Sequence, residues 1–283
     1  MEQFSYGYIP YQRDARDFIL KAAAPVAERT VMYEGEMLPI RDQGQEGTCV
    51  AHAAGAVKEY YDSVQRGIKT SFSPRYLYYH CKQVDGIPNE EGTYPRTAMQ
   101  ILQVYGIGLE KDWPYIANQK MLPNDMKSVE LHAQPQQIVS YARLYSVSDM
   151  IASLILHGPF LIGVEVTQGF YTDECVRTGI IDARYDKPLG GHALCVVGYD
   201  ADKQMFRIRN SWGTGYGDHG HNWMTKDWMA RHCIDAWSLV DNTEIDAGLT
   251  IIKPKEKMNG FFTCSKTLPR KLWAVVTSYF NHR

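Results

Sequence analysis

The hydrophobic pattern of this 283-residue chain changes period near residue 145, and that change limits the folds open to it. Upstream, apolar and aromatic side chains recur at Val50, Ala53, Ala54, Val57, Tyr60, Tyr61 and Val64. This 3-4 spacing predicts a helix over 49–65, with Gly67 as its C-terminal cap. Ser73-Pro74 supplies an N-cap and a first-turn proline for a second helix to about Cys81. A third runs from Pro95 to Tyr105 and stops at Gly106, and a polar connector follows Trp113-Pro114-Tyr115 to about Gln137. Downstream, one more helix at 148–156 gives way to strands at 160–166, 179–181, 193–198, 205–209 and 235–240, punctuated by Pro and Gly. A helical half followed by a strand-rich half predicts an α+β protein of two lobes.

The length suits one large domain or two lobes sharing a cleft. The expected boundaries are an N-terminal arm at 1–30, a main domain at 31–246 divided near 145, and an extension at 247–283. Charge is unevenly placed. From Lys253 onward there are seven bases and one acid, a net of +6, which leaves −8 on residues 1–252 of the −2 total. An acidic body argues against nucleic-acid binding. The basic, aromatic tail has the composition of an element that docks on an anionic surface or a protein partner. No run approaches the roughly 18 apolar residues of a membrane span. The mildly apolar stretch 18–27 is interrupted by Lys21 and is not a signal peptide, so a cytoplasmic protein is expected, with export left open. Six scattered cysteines without a Cys-x-x-Cys indicate neither a zinc cage nor a redox pair. Asp218-His219-Gly220-His221 reads as a polar glycine-rich loop, and no metal or cofactor is called for.

The candidate chemistry begins at Gln43-Gly44-Gln45-Glu46-Gly47-Thr48-Cys49, a Gly-rich loop that runs into the first helix. A thiol at a helix N-terminus sees the positive end of the helix dipole, which favours thiolate. Alone, an inert buried cysteine is the commoner occupant of such a position. Two later segments change that. His192 follows Gly190-Gly191 at the mouth of an apolar strand, and Asn210 stands at the end of the strand 205–209, followed by Ser211-Trp212-Gly213. An asparagine there can accept an imidazole N–H, and a tryptophan can shield the bond from water.

Together, Gln43…Cys49, then His192, then Asn210-Ser211-Trp212-Gly213, resemble the papain-like (clan CA) cysteine peptidases. His192 lies 143 residues after Cys49, within the range of about 130–150 typical of that family. Gly92-Thr93-Tyr94-Pro95, Trp113-Pro114-Tyr115, Gly158-Pro159-Phe160 and Val197-Gly198-Tyr199 extend the resemblance over about 30–242. It implies a helical lobe and a β-barrel-like lobe with the active site between them. It implies Cys49 as nucleophile, its pKa lowered by the helix and by His192 as imidazolium, His192 as acid and base, and Asn210 as its orienting partner. The Gln43 amide and the Cys49 N–H would stabilise an oxyanion, and Trp212 would cover the His–Asn pair. Thr93, Tyr94, Pro95, Gly163 and Gly191 would line the substrate side, the two glycines leaving a roomy second subsite.

Departures accompany the match. The family carries a cysteine where this chain has Glu46, and that cysteine's disulfide partner aligns with Glu90, so both ends of the bridge are absent. His52, three residues past the nucleophile, reads as structural. The long helical pro-region of the family has no room before Cys49. The short arm instead resembles the bacterial and viral members and is expected to lie along the cleft or lobe surface, where it could serve as a short pro-segment. The implied activity is endopeptidase cleavage of a peptide or protein substrate through an acyl-enzyme. An isopeptidase, amidase or transpeptidase would use the same first half-reaction, and a non-catalytic peptide-binding scaffold would use the fold alone.

Overall fold

A computed structural model describes residues 4–10, 14, 16–241 and 249–252 of the chain. The first half is helical: α1 (Cys49–Arg66), α2 (Pro74–Val84), α3 (Pro95–Val104) and α4 (Met126–Ala133). The predicted caps are in place. Gly67 closes α1 in the left-handed region at φ 68°, where a residue without Cβ is unstrained. Ser73 starts α2, its hydroxyl accepting from the Tyr76 N–H. The segment expected as a plain polar connector contains α4, capped by Asp125. Its apolar residues are too few to carry a period, and only Val129 and Ala133 are buried.

The second half supplies α5 (Val147–Leu156), α6 (Asp173–Thr178) and α7 (Lys226–His232), and most of the strands: β3 (Ser140–Leu144), β4 (Phe160–Thr167), β5 (Pro188–Asp200), β6 (Met205–Arg209), β7 (His221–Thr225) and β8 (Cys233–Val240). Three short strands come from the ends of the chain and the domain start: β1 (Ile19–Ala22), β2 (Val31–Met32) and β9 (Leu249–Ile252). One sheet runs β7-β6-β5-β4-β8-β3-β1-β9, with β2 on β5. The path is open, not a closed barrel. Residues 179–181, expected as a strand, contribute only a bridge from Ile180 to Trp223. The 218–221 loop instead leads into β7, which pairs with β6. Of the C-terminal extension, Leu249–Ile252 pairs antiparallel with β1. The rest, and with it the expected docking tail, lies outside the described residues.

β5 joins the two cores. Ala193, Cys195 and Val197 face the helical core around α1, while Leu194 and Val196 face the β-lobe core. This is the two-residue alternation of a strand buried on both faces. Cys49 at the start of α1 and His192 near the start of the buried part of β5 therefore meet where the lobes join. Among the described residues no helix is long and apolar enough to cross a membrane.

Candidate active site

His192 is fully buried, and its Nε2 lies 2.9 Å from Asn210 Oδ1. The asparagine's orientation is fixed by its other end, since Nδ2 donates to Asn222 Oδ1 at 3.0 Å while Oδ1 also accepts the Ser211 N–H at 2.7 Å. Oδ1 can only accept, so the imidazole proton sits on Nε2. The Nδ1 lone pair makes no hydrogen bond. Trp212 stacks on the imidazole, centroids 4.5 Å apart at 21°. This arrangement leaves Nδ1 as a base with its tautomer and ring plane set.

Cys49 begins α1, and its Sγ accepts the Ala193 N–H at 3.4 Å. The N–H groups of Cys49, Val50 and Gly7 also point to the sulfur and favour thiolate. Burial outweighs them all and pushes the thiol up to about 12. The same burial pushes His192 down to about 4, against the lift from Asn210. The lowered thiol pKa expected from the helix dipole is thus reversed in this state. The pair is neutral because no water reaches it.

The cover is the N-terminal arm. Residues 4–9 pass through the cleft as an extended segment. Thr93 N–H donates to the Gly7 carbonyl at 2.9 Å, Ile9 N–H to the Thr93 carbonyl at 3.1 Å, and Tyr8 N–H to the Gly191 carbonyl at 3.2 Å. The aromatic side chains alternate along it. Phe4 stacks on Trp212 at 4.3 Å and 5°, Tyr6 meets the Tyr171 hydroxyl and lies against Gly190, and Tyr8 lies against Gly163 and Gly191. Gly7 passes so close to the nucleophile loop that a Cβ on it would fall 2.1 Å from the Gly47 carbonyl oxygen.

Gln43 Nε2 donates to the Glu46 carbonyl at 2.9 Å and to the arm's Ser5 carbonyl at 3.3 Å, and its Oε1 accepts from Ser211 Oγ at 2.6 Å. A fixed amide donor on a peptide carbonyl is the geometry an oxyanion donor needs. Of the expected substrate-side residues, Thr93, Gly163 and Gly191 touch the arm; Tyr94 is the N-cap residue of α3 and Pro95 its first residue.

Glu46 stands where the family's bridging cysteine would be, and it is buried. Arg75 from α2 grips it with two hydrogen bonds of 2.6 Å, and the Asn118 N–H adds a third at 3.0 Å. Burial pushes this carboxyl up, but the guanidinium and the amide pull it down further, below its ordinary 4.5. The neighbouring Gly47 N–H donates to Glu91 at 2.9 Å, next to exposed Glu90, so one carboxylate ties the two segments the disulfide would join. All five described cysteines are free. Tyr115 Oη, 2.8 Å from both the Gln43 carbonyl and Thr48 Oγ1, completes the support. His52 is structural here: its Nδ1 lies 3.1 Å from the Thr48 carbonyl, its ring stands edge-on to Tyr115, and burial pushes it down to about 3. His221 is buried 3.7 Å from Glu34, burial pushes it down to about 4, and Asp218 pairs with buried Arg207.

Sequence reading missed Arg75, Asn222, Ser211 and Tyr8 as functional neighbours. Only Ser211 had a local signal, its place between Asn210 and Trp212.

Comparison with known proteins places this geometry. The family model "Papain family cysteine protease" matches residues 26–238. An uncharacterized peptidase C1-like protein of Acanthamoeba polyphaga mimivirus is 25% identical over 274 residues, 85% of this chain and 88% of the viral protein. Cysteine proteinase 3 of Entamoeba histolytica is 29% identical over 215 residues, 74% of this chain and 66% of the amoebal one. The crystal structure of xylellain, a cysteine protease from Xylella fastidiosa, superposes with a TM-score of 0.73 at 26% identity, covering 86% of this chain and 99% of that one.

Proposed function

Because the chain belongs to the papain family of cysteine proteases, and so is a cysteine-type peptidase, we propose that it is an endopeptidase that residues 4–9 hold in a latent form. Cys49 is the nucleophile, His192 the acid and base, Asn210 the group that orients His192, and Gln43 with the Cys49 N–H the oxyanion donors. The observation that carries this reading is the Gln43 amide holding a peptide carbonyl, that of Ser5, in the same cleft as Cys49 and an Asn210-oriented His192.

Once the arm leaves, water reaches the pair and burial no longer holds the thiol up. The Sγ proton then passes to His192 Nδ1 as Sγ bonds to the scissile carbonyl carbon, whose oxygen takes the Gln43 and Cys49 N–H bonds. His192 gives its proton to the leaving amine as the C–N bond breaks, leaving a thioester. Water then loses a proton to Nδ1, attacks the thioester, and frees the acid and the thiol. In the latent form the arm meets the thiol with the Gly7 N–H, a donor.

Gly7→Ala in the full chain is the test, because its Cβ would overlap the Gly47 backbone and expel the arm. The variant is expected to alkylate at Cys49 with iodoacetamide at least a hundredfold faster than wild type, and to cleave a mixed peptide library within chains. Equal labelling of both proteins would sink the latency. Labelling without cleavage of the library would sink the endopeptidase reading.

A further inference from the structure

The arm also marks a side-chain pocket. In the sheet, Gly163 of β4 stands directly opposite Ala193 on one side and Asp235 on the other. Directly opposed residues share a face, so the space Gly163 leaves empty lies beside the Asp235 side chain. Tyr8 fills it: a Cβ on Gly163 would come 2.1 Å from the Tyr8 ring, and one on Gly191 2.6 Å. At the floor, Asp235 Oδ2 accepts the Tyr8 hydroxyl at 3.0 Å, and Oδ1 accepts Trp237 Nε1–H at 3.2 Å. Asp235 is 3% exposed and Tyr8 4%, so the bond is dry.

This rests on the reading of the cleft as a peptidase site. We infer that the pocket selects tyrosine in the substrate, with Asp235 as the residue that decides it. Phenylalanine would fill the same walls but forgo the hydroxyl's hydrogen bond to buried Asp235, a loss that a site shaped to receive a hydroxyl discriminates against. Lysine and arginine bring a donor and a charge, but that charge would also meet Arg143. Arg143 is itself buried, its guanidinium over the Trp237 ring at 5.4 Å, and its charge acts on Tyr8 in the sense opposite to that of Asp235. A neutral donor at the end of a flat ring meets both demands.

The test uses the full-chain Gly7→Ala protein and peptides that differ only by Tyr, Phe, Leu or Lys at one scanned position. At the position that reads this pocket, tyrosine is expected to exceed phenylalanine in kcat/KM by roughly ten- to a hundredfold. Adding Asp235→Ala is expected to erase that gap while the phenylalanine peptide is still cut, which shows that the variant folds. A binding readout runs beside it. A synthetic peptide of residues 4–10 should protect Cys49 of Gly7→Ala from iodoacetamide, and its Tyr8→Phe form should need ten- to a hundredfold more. Equal protection by both peptides, or a tyrosine preference that survives Asp235→Ala, would overturn the assignment. If no peptide is cut but protection still depends on the Tyr8 hydroxyl, the pocket stands and the peptidase reading falls. If every peptide is cut alike, the reverse holds.

Discussion

The two walls of the cleft hold their reactive groups by opposite means. On the helical side the loop carrying Gln43 and Cys49 is gripped by charge, with Glu46 buried against Arg75 and Glu91 bound to the Gly47 N–H. On the β side His192 is held by neutral groups, the Asn210–Asn222 chain and the face of Trp212. Each choice suits the group it serves. A carboxylate beside His192 would raise its pKa and hold it protonated, whereas an amide orients the ring and lets it exchange a proton. The thiol loop exchanges no proton through its anchor, so a salt bridge that stays ionised at neutral pH can replace a covalent bridge.

Removing one charge of the helical wall should have the largest effect. Arg75→Met leaves Glu46 buried and unpaired and is expected to cost about 3–5 kcal/mol, read as a fall in the urea midpoint. The double variant Glu46→Leu/Arg75→Met should recover most of it. A loss below about 1 kcal/mol in the single variant would mean that the loop is not held by charge.

The β wall should break differently. Asn210→Ala in the Gly7→Ala background removes three hydrogen bonds but no buried charge. A roughly tenfold or greater fall in kcat is expected, with a stability cost of about 1–3 kcal/mol. A cost as large as that of Arg75→Met would erase the contrast between the walls.

Acid separates the walls by window. The folded His192 pKa lies below its ordinary 6.5, at about 4. Its contribution is therefore present above 6.5 and is lost as pH falls toward 4. The folded Glu46 pKa is depressed below 4.5, so its contribution is intact above 4.5 and disappears only as pH falls through the lower folded value. Melting temperatures from pH 7 to 3 should show His192→Asn flattening part of the upper window and Glu46→Gln flattening only the lower. Glu46→Gln acting between pH 6.5 and 5 would overturn this assignment. Within the upper window His52, pushed down to about 3, and His80, pushed down to about 4, contribute shares at least comparable to that of His192.

Where the sequence pattern was strong, the structure follows it closely. The 3-4 spacing of α1, its Gly67 cap and the Ser73 cap were readable because helix hydrogen bonds and caps join residues within one or two turns. β7 and α4 were not, because their apolar residues are few and their places are set by β6 and by α3's neighbourhood. Among the candidate site residues, Gln43, Cys49, His192 and Asn210 were legible from motif order. Tyr94 and Pro95 stand at the start of α3, a place the Pro at the first helical position already marked.

What the sequence determined by itself, then, is a candidate set of groups for thiol chemistry, and a glutamate, Glu46, where the family resemblance implies a bridging cysteine. Tertiary structure alone decided what those groups face. Arg75 reaches Glu46 across 29 residues, and Asp235 reaches the Gly163 gap through strand register. Residues 4–9 turn an expected low-pKa thiol into a neutral one by excluding water. Burial and register depend on segments far apart in the chain, and no local pattern encodes the distance between them.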